Sequence, residues 1–144
     1  MTVDIQRSLI TQLYTYLTGD TAAKAAMGGT VRCYLTWAKT DAVLPYLVHR
    51  IDMGMGEPFP RRNATYYLDI WSASDDANEI TAIRKAIIEL LDELSFNTTE
   101  AKNCKLELQT DGFIPEPEEG IYHYAMQFSL RLWRQSETTV IIGR

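Results

Sequence analysis

The sequence predicts an α+β fold: a mainly antiparallel β-sheet packed on one face by two amphipathic helices, with a long hairpin. Three observations carry this. Between Ile121 and Arg134, the residues Tyr122, Tyr124, Met126, Phe128, Leu130 and Leu132 occupy every second position. His123, Ala125, Gln127, Ser129, Arg131 and Trp133 fill the other face, which is the period of a strand. At ~3.3 Å per residue the run extends roughly 45 Å, well beyond an ordinary strand. Second, two segments place apolar residues at helical spacing: Ile5, Leu9, Leu13 and Leu17, and then Ile80, Ile83, Ile87, Leu90, Leu91 and Leu94. Third, strand and helix patterns follow one another without the strict alternation of a parallel α/β sheet.

Taken in order, the first element is a helix from Ile5, its stripe widened by Ile10 and Tyr14 and stopped at Gly19. Asp20-Thr21 caps a short second helix through Ala26, and Gly28-Gly29 breaks the chain before a strand around Val31 and Tyr34-Leu35. Pro45 opens an extended segment from Tyr46 to Met53. The stretch from Asp52 to Asn63 reads as a loop, because Gly54, Gly56, Pro58 and Pro60 disfavour regular structure. A strand resumes at Ala64 and runs to Ser72, with Tyr66, Leu68 and Ile70 on one face and Thr65, Tyr67, Asp69 and Trp71 on the other. Asp76 and Glu79 have the spacing of a capping box at the head of the second amphipathic helix. Leu106 and Leu108 alternate with polar neighbours in a strand from Lys105 to Gln109, Asp111-Gly112 punctuates it, and residues 115–120 form an acidic loop before the long strand.

With 144 residues and 46% hydrophobic content, the expectation is one domain over residues 1–144, with a tail at 135–144 that is flexible or docks on a partner. Fourteen basic against nineteen acidic residues give a net charge of -5, which argues against broad binding to phosphate backbones. Cys33 and Cys104 read as buried thiols more readily than as a disulfide framework. The start Met1-Thr2-Val3-Asp4 lacks a signal-peptide pattern and no eighteen apolar residues run together, so a soluble protein outside the membrane is expected.

His49 and His123 have no cysteine at ligand spacing, whereas a zinc site needs three or four converging donors; no metal and no cofactor are expected. His123, on the polar face of its strand, reads as solvent-facing or interfacial, with a pH-sensitive contact as the alternative. Asp75-Asp76 stands where a helix start wants acceptors. No serine sits in a Gly-x-Ser-x-Gly elbow, and Gly54-Met55-Gly56 is followed by prolines where a phosphate-binding helix should begin. No catalytic residue is assigned. Candidate interface residues are Met53, Met55, Phe59, Arg61 and Arg62 in the loop, where cations adjoin adaptable apolar side chains. Arg131 and Trp133 on the long strand join them, as do Val140, Ile141 and Ile142, a β-prone tail in need of a docking site.

The order of these elements carries a resemblance. Asp4-Ile5-Gln6 opens a helix, Leu44-Pro45-Tyr46-Leu47-Val48 enters a strand, Tyr67-Leu68-Asp69-Ile70-Trp71-Ser72 precedes an acidic cap and helix, and Gly120-Ile121-Tyr122-His123-Tyr124 leads the last strand. In that order and spacing, over roughly residues 4 to 134, the chain resembles the tail-completion proteins of long-tailed bacteriophages, also called tail-terminator or tail-to-head joining proteins. The resemblance implies a small structural protein without catalysis. It would form a hexameric ring on the head-proximal end of the tail tube, stop tail polymerisation and join tail to head. Implied partners are further copies of the chain, the tail tube protein and a head-tail connector or stopper protein. DNA would pass through the lumen without sequence-specific binding, and assembly in the host bacterial cytoplasm would leave the protein at the neck of the virion tail. The alternatives are another neck-ring component, such as a head-closure protein, and a small-ligand-binding domain or enzyme.

Overall fold

The computed structural model describes residues 5–54, 61–73 and 77–134. Helix α1 (Ile5–Gly19) and the short α2 (Thr21–Ala26) come first, followed by strands β1 (Cys33–Leu35), β2 (Tyr46–Asp52) and β3 (Arg61–Ala73). Helix α3 (Asn78–Leu91) leads to β4 (Ser95–Phe96), β5 (Ala101–Ile114) and β6 (Ile121–Arg134). The six strands form one sheet in the order β1-β2-β3-β6-β5-β4, in which β1 and β2 run parallel and every other neighbour is antiparallel. The fold class therefore agrees with the sequence: a mainly antiparallel sheet, helices over one face, and a long β2–β3 hairpin.

The long strand is the spine of the sheet. β6 pairs with β3 from Arg61↔Trp133 to Ala73↔Ile121, and on its other side with β5 from Ala101↔Arg134 to Ile114↔His123. Its inward residues Met126, Phe128, Leu130 and Leu132 are buried with Tyr66, Leu68 and Ile70 of β3, Leu47 of β2 and Leu106 of β5. Onto this layer fall Leu9, Leu13 and Leu17 of α1 and Ile80, Ile83, Ile87 and Leu91 of α3, all without solvent contact. The Gln6 side chain ties α1 to β2 by donating to the Ile51 carbonyl at 2.7 Å. One polar pair lies inside: the His49 Nδ1 is 2.7 Å from the Tyr66 hydroxyl. Burial pushes the His49 pKa down to about 4, so its ring is neutral near pH 7.

Local chemistry explains the short elements. The Asp20 carboxylate caps α2 by accepting from the Ala23 amide at 2.9 Å, as the sequence predicts. Gly28, at φ +86°, ends it in a conformation that costs glycine little. At α3 the expectation needs correction. The helix begins at Asn78 with Ala77 as cap residue and no side-chain cap bond. Asp76 lies outside the described residues, and Glu79 instead accepts a hydrogen bond from the buried Ser72 hydroxyl.

Two further boundaries move. Arg61, Arg62 and Asn63 belong to β3, since β6 continues far enough to pair with them. Asp111-Gly112 does not end β5 either. The strand runs on to Ile114, opposite Met126, Ala125 and Tyr124, with register shifts at Lys102/Lys105 and Leu108/Thr110 absorbing its irregularity.

Leu13 is fully buried at the middle of α1. Leu13→Ala is expected to lower stability by about 2–5 kcal/mol with an unchanged circular dichroism spectrum. Urea unfolding measures it, and a loss under about 0.5 kcal/mol would mean that α1 does not seal the core.

Candidate functional site

The sheet face opposite the helices carries aromatic and charged side chains in register. Tyr46, Trp71 and His123 lie side by side across β2, β3 and β6. The Trp71 and His123 rings stack with centroids 3.8 Å apart and planes 15° from parallel. Tyr46 stacks on the far side of Trp71 at 6.3 Å and meets Tyr34 edge-on at 5.8 Å. Four residues further along the β2–β3 ladder, the Arg50 guanidinium sits 3.8 Å from the Tyr67 ring centroid, a cation–π contact.

Of the sequence readings of His123, solvent-facing does not hold, and the alternative of a pH-sensitive contact fits its surroundings. Its Nε2 is 2.9 Å from Asp69 on β3 and its Nδ1 is 3.1 Å from Glu116 in the β5–β6 connection, and only 11% of the side chain is exposed. Both ring nitrogens face carboxylates, an arrangement that suits the imidazolium, which alone donates from both. Burial pulls its pKa down, and the bonds to Asp69 and Glu116 more than offset this, so the net direction is up. The acidic segment is thus pinned to the sheet at Glu116, while Glu118 and Glu119 remain exposed. A second clamp holds the same end. The Arg84 guanidinium of α3 is 2.7 Å from Asp111, which also accepts from the Tyr124 hydroxyl. Those bonds, from Tyr124 and then Arg84, outweigh burial and hold Asp111 below the usual carboxylate range.

At the opposite end of the sheet, four candidate residues come together. Arg61, Arg62, Arg131 and Trp133 line one cleft of about 550 Å³ with Asn63, Lys105 and Cys104. Strand register does this, because Arg61 pairs with Trp133 and Asn63 with Arg131. Arg62 Nε donates to the Met53 carbonyl at 3.2 Å, closing the base of the hairpin. Beside it Gly54 holds φ +64°, where an added Cβ would lie 3.3 Å from the Asn63 carbonyl. Arg131 also reaches Glu107 at 3.4 Å, an exposed pair of small energetic weight. Met55, Phe59, Val140, Ile141 and Ile142 lie outside the described residues.

The structure adds exposed apolar residues that sequence reasoning did not single out. Trp37 is 77% exposed, and Leu35 and Val43 accompany it near the β1 edge. Phe113 and Ile114 are exposed beside the acidic connection. Their one signal was an aromatic or aliphatic residue in a polar, aperiodic stretch. Among the described residues no three metal-ligating side chains converge. Cys33 and Cys104 are free, and burial raises their pKa values to about 12 and about 11, far from thiolate reactivity. No described helix is long and apolar enough to cross a membrane.

The His123 clamp has a definite pH signature. A pKa raised by folding contributes stability that is complete below the ordinary histidine value of ~6.5 and is lost as pH rises through the folded value. His123→Gln should therefore cost about 1 kcal/mol near pH 6, discounted for the partial exposure of Asp69, and markedly less near pH 9. Urea melts at the two pH values check this; an equal cost at both would exclude a charged clamp.

Comparison with known proteins places this geometry. The sequence model of the family described as "Tail completion protein gp17" matches residues 11–132. Among curated proteins no sequence matches the chain. Among solved structures, a chain from the virion of a native gene transfer agent particle superposes with a TM-score of 0.75 at 12% identity, covering 92% of this chain and 99% of that one. A second solved chain, 11% identical, has a TM-score of 0.58 over 92% of this chain and 97% of its own. These two likenesses are of fold. The family match spans α1 from Thr11 onward, α2, α3, the whole hairpin and nearly all of β6, and on it the chain belongs to the tail completion protein gp17 family, structural proteins of bacteriophage tails.

Proposed function

We propose that this protein is a tail terminator: copies close into a ring on the head-proximal end of the tail tube, halt its growth and supply the surface that joins tail to head. The family match over residues 11–132 is the observation that carries this function. The likeness in fold to a chain of a gene transfer agent virion supports it. The side chains agree with a structural task. The open sheet face presents stacked rings and clamped charges, and His123 on it is engaged on both nitrogens.

In this function the ring is a hexamer seated at the virion neck and assembled in the host cytoplasm. The tail tube protein lies on one side and a head-tail connector or stopper protein on the other. Met53, Met55, Phe59, Arg61, Arg62, Arg131 and Trp133 serve contacts with neighbouring copies or the tube, and Val140, Ile141 and Ile142 act as a docking arm. The net charge of -5 suits a lumen through which DNA slides without sticking.

Native mass spectrometry over a range of concentrations, with and without the tail tube protein of the same particle, tests this. Six copies of the 16.4 kDa chain give a species near 98 kDa (about six times the chain mass). A chain that stays monomeric in both conditions would remove the terminator assignment.

A further inference from the structure

The two ends of the sheet carry opposite charge, and the same strand joins them. At the start of β6, the exposed Glu118 and Glu119 stand beside Phe113, which is 50% exposed, and Ile114. At its end, Arg61, Lys105 and Arg131 line the cleft whose wall includes Trp133, 43% exposed. Each end therefore pairs exposed charge with exposed apolar surface, one acidic and one basic. Along β6, Ile121 lies ten steps from Arg131 and twelve from Trp133, roughly 33–40 Å at ~3.3 Å each and several times the ~8 Å over which salt screens charges. Neither end can reach the other within one copy, and the Arg131–Glu107 pair that the basic end makes inside its own copy is exposed and of small weight.

We infer that the 115–120 connection of one copy seats in the Arg61–Arg131 cleft of the next, so that the chain associates head to tail. The contact deepens the terminator function proposed above and rests on it, since a head-to-tail contact between identical chains yields a closed ring when its rotation closes. Guanidinium groups suit the carboxylates of Glu118 and Glu119 because their planar donors match carboxylate geometry. Phe113 and Ile114 would cover Trp133, removing apolar surface from water on both sides. Glu116, held by His123, fixes the base of the inserted segment and so lowers the entropy lost on docking.

A charge exchange in the full-length chain tests this. One variant carries Arg61→Glu with Arg131→Glu and is acidic at both ends; the other carries Glu118→Lys with Glu119→Lys and is basic at both. Alone, each should associate at least ~10-fold more weakly than wild type by sedimentation and native mass spectrometry. An equimolar mixture should restore the ring with the two variants alternating, which an even-numbered hexamer permits. Wild-type association should also weaken steadily as salt is raised, a readout independent of whether a variant folds.

Rings from either variant alone, a mixture that stays apart although both variants melt cooperatively, or salt-independent wild-type association would each overturn the contact while leaving a wild-type ring intact. So would an Arg61→Glu, Arg131→Glu protein that keeps its ring but loses retention on short duplex DNA, because the cleft would then be a phosphate site. A wild type that forms no ring, with or without the tube protein, would instead remove the terminator assignment and this contact with it.

Discussion

The double-sided pairing of β6 is the constraint on which the rest depends. From His123 to Trp133 it lies between β3 on one side and β5 on the other, with two register shifts on the β5 side. Because side chains alternate with period two, a slip of one residue would carry Phe128 and Leu130 to the open face and bring Gln127 and Ser129 beneath α1 and α3. The core is therefore a register lock as much as a source of burial. The same register sets Trp71 against His123 and Arg61 against Trp133, so the stacked rings at one end and the cationic cleft at the other follow from a single alignment.

How much of this was legible in the sequence depended on how local each cause was. α1, α3 and β6 announce themselves by spacing within their own segments, and most of their inward residues are buried, although Tyr14 is 45% exposed, Ile10, Leu90, Leu94 and Tyr122 are only partly covered, and α3 ends at Leu91. β4 has two residues and β1 three, too few for any period to show, and β1 is defined by a parallel partner beginning eleven positions later. Asp111-Gly112 has turn chemistry, yet β6 supplies a ready ladder opposite it, and tertiary pairing overrides local preference. Arg61 and Arg62 were shifted out of the loop for the same reason. The cleft was half visible: each of its arginines stood out as an exposed cation beside apolar neighbours, but their convergence depends on pairing between segments some seventy positions apart (~70 from residues 61 and 131).

The two histidines show why residue type says little without surroundings. His49, on the covered face, is stripped of water and held neutral against Tyr66. His123, on the open face, is gripped by Asp69, 54 positions away, and Glu116, 7 positions away. Both use their chemistry to hold the fold in place. For a family of tail components this is coherent, since a part that must fit against other parts gains from fixed side chains more than from reactive ones.

The edges of the sheet have a consequence of their own. On one side the last strand is three residues long, on the other two. Such stubs expose few unpaired N–H and C=O groups of their own, yet β4 pairs with β5 only at Lys105 and Cys104, so among the described residues no strand lies along the outer edge of β5 from Gln109 to Ile114. That edge ends at the exposed Phe113 and Ile114, so backbone groups and apolar side chains are offered to a partner at one place. In a phage tail component, that stretch is where another chain can add a strand, whereas beside the stubs a partner has side chains to grip.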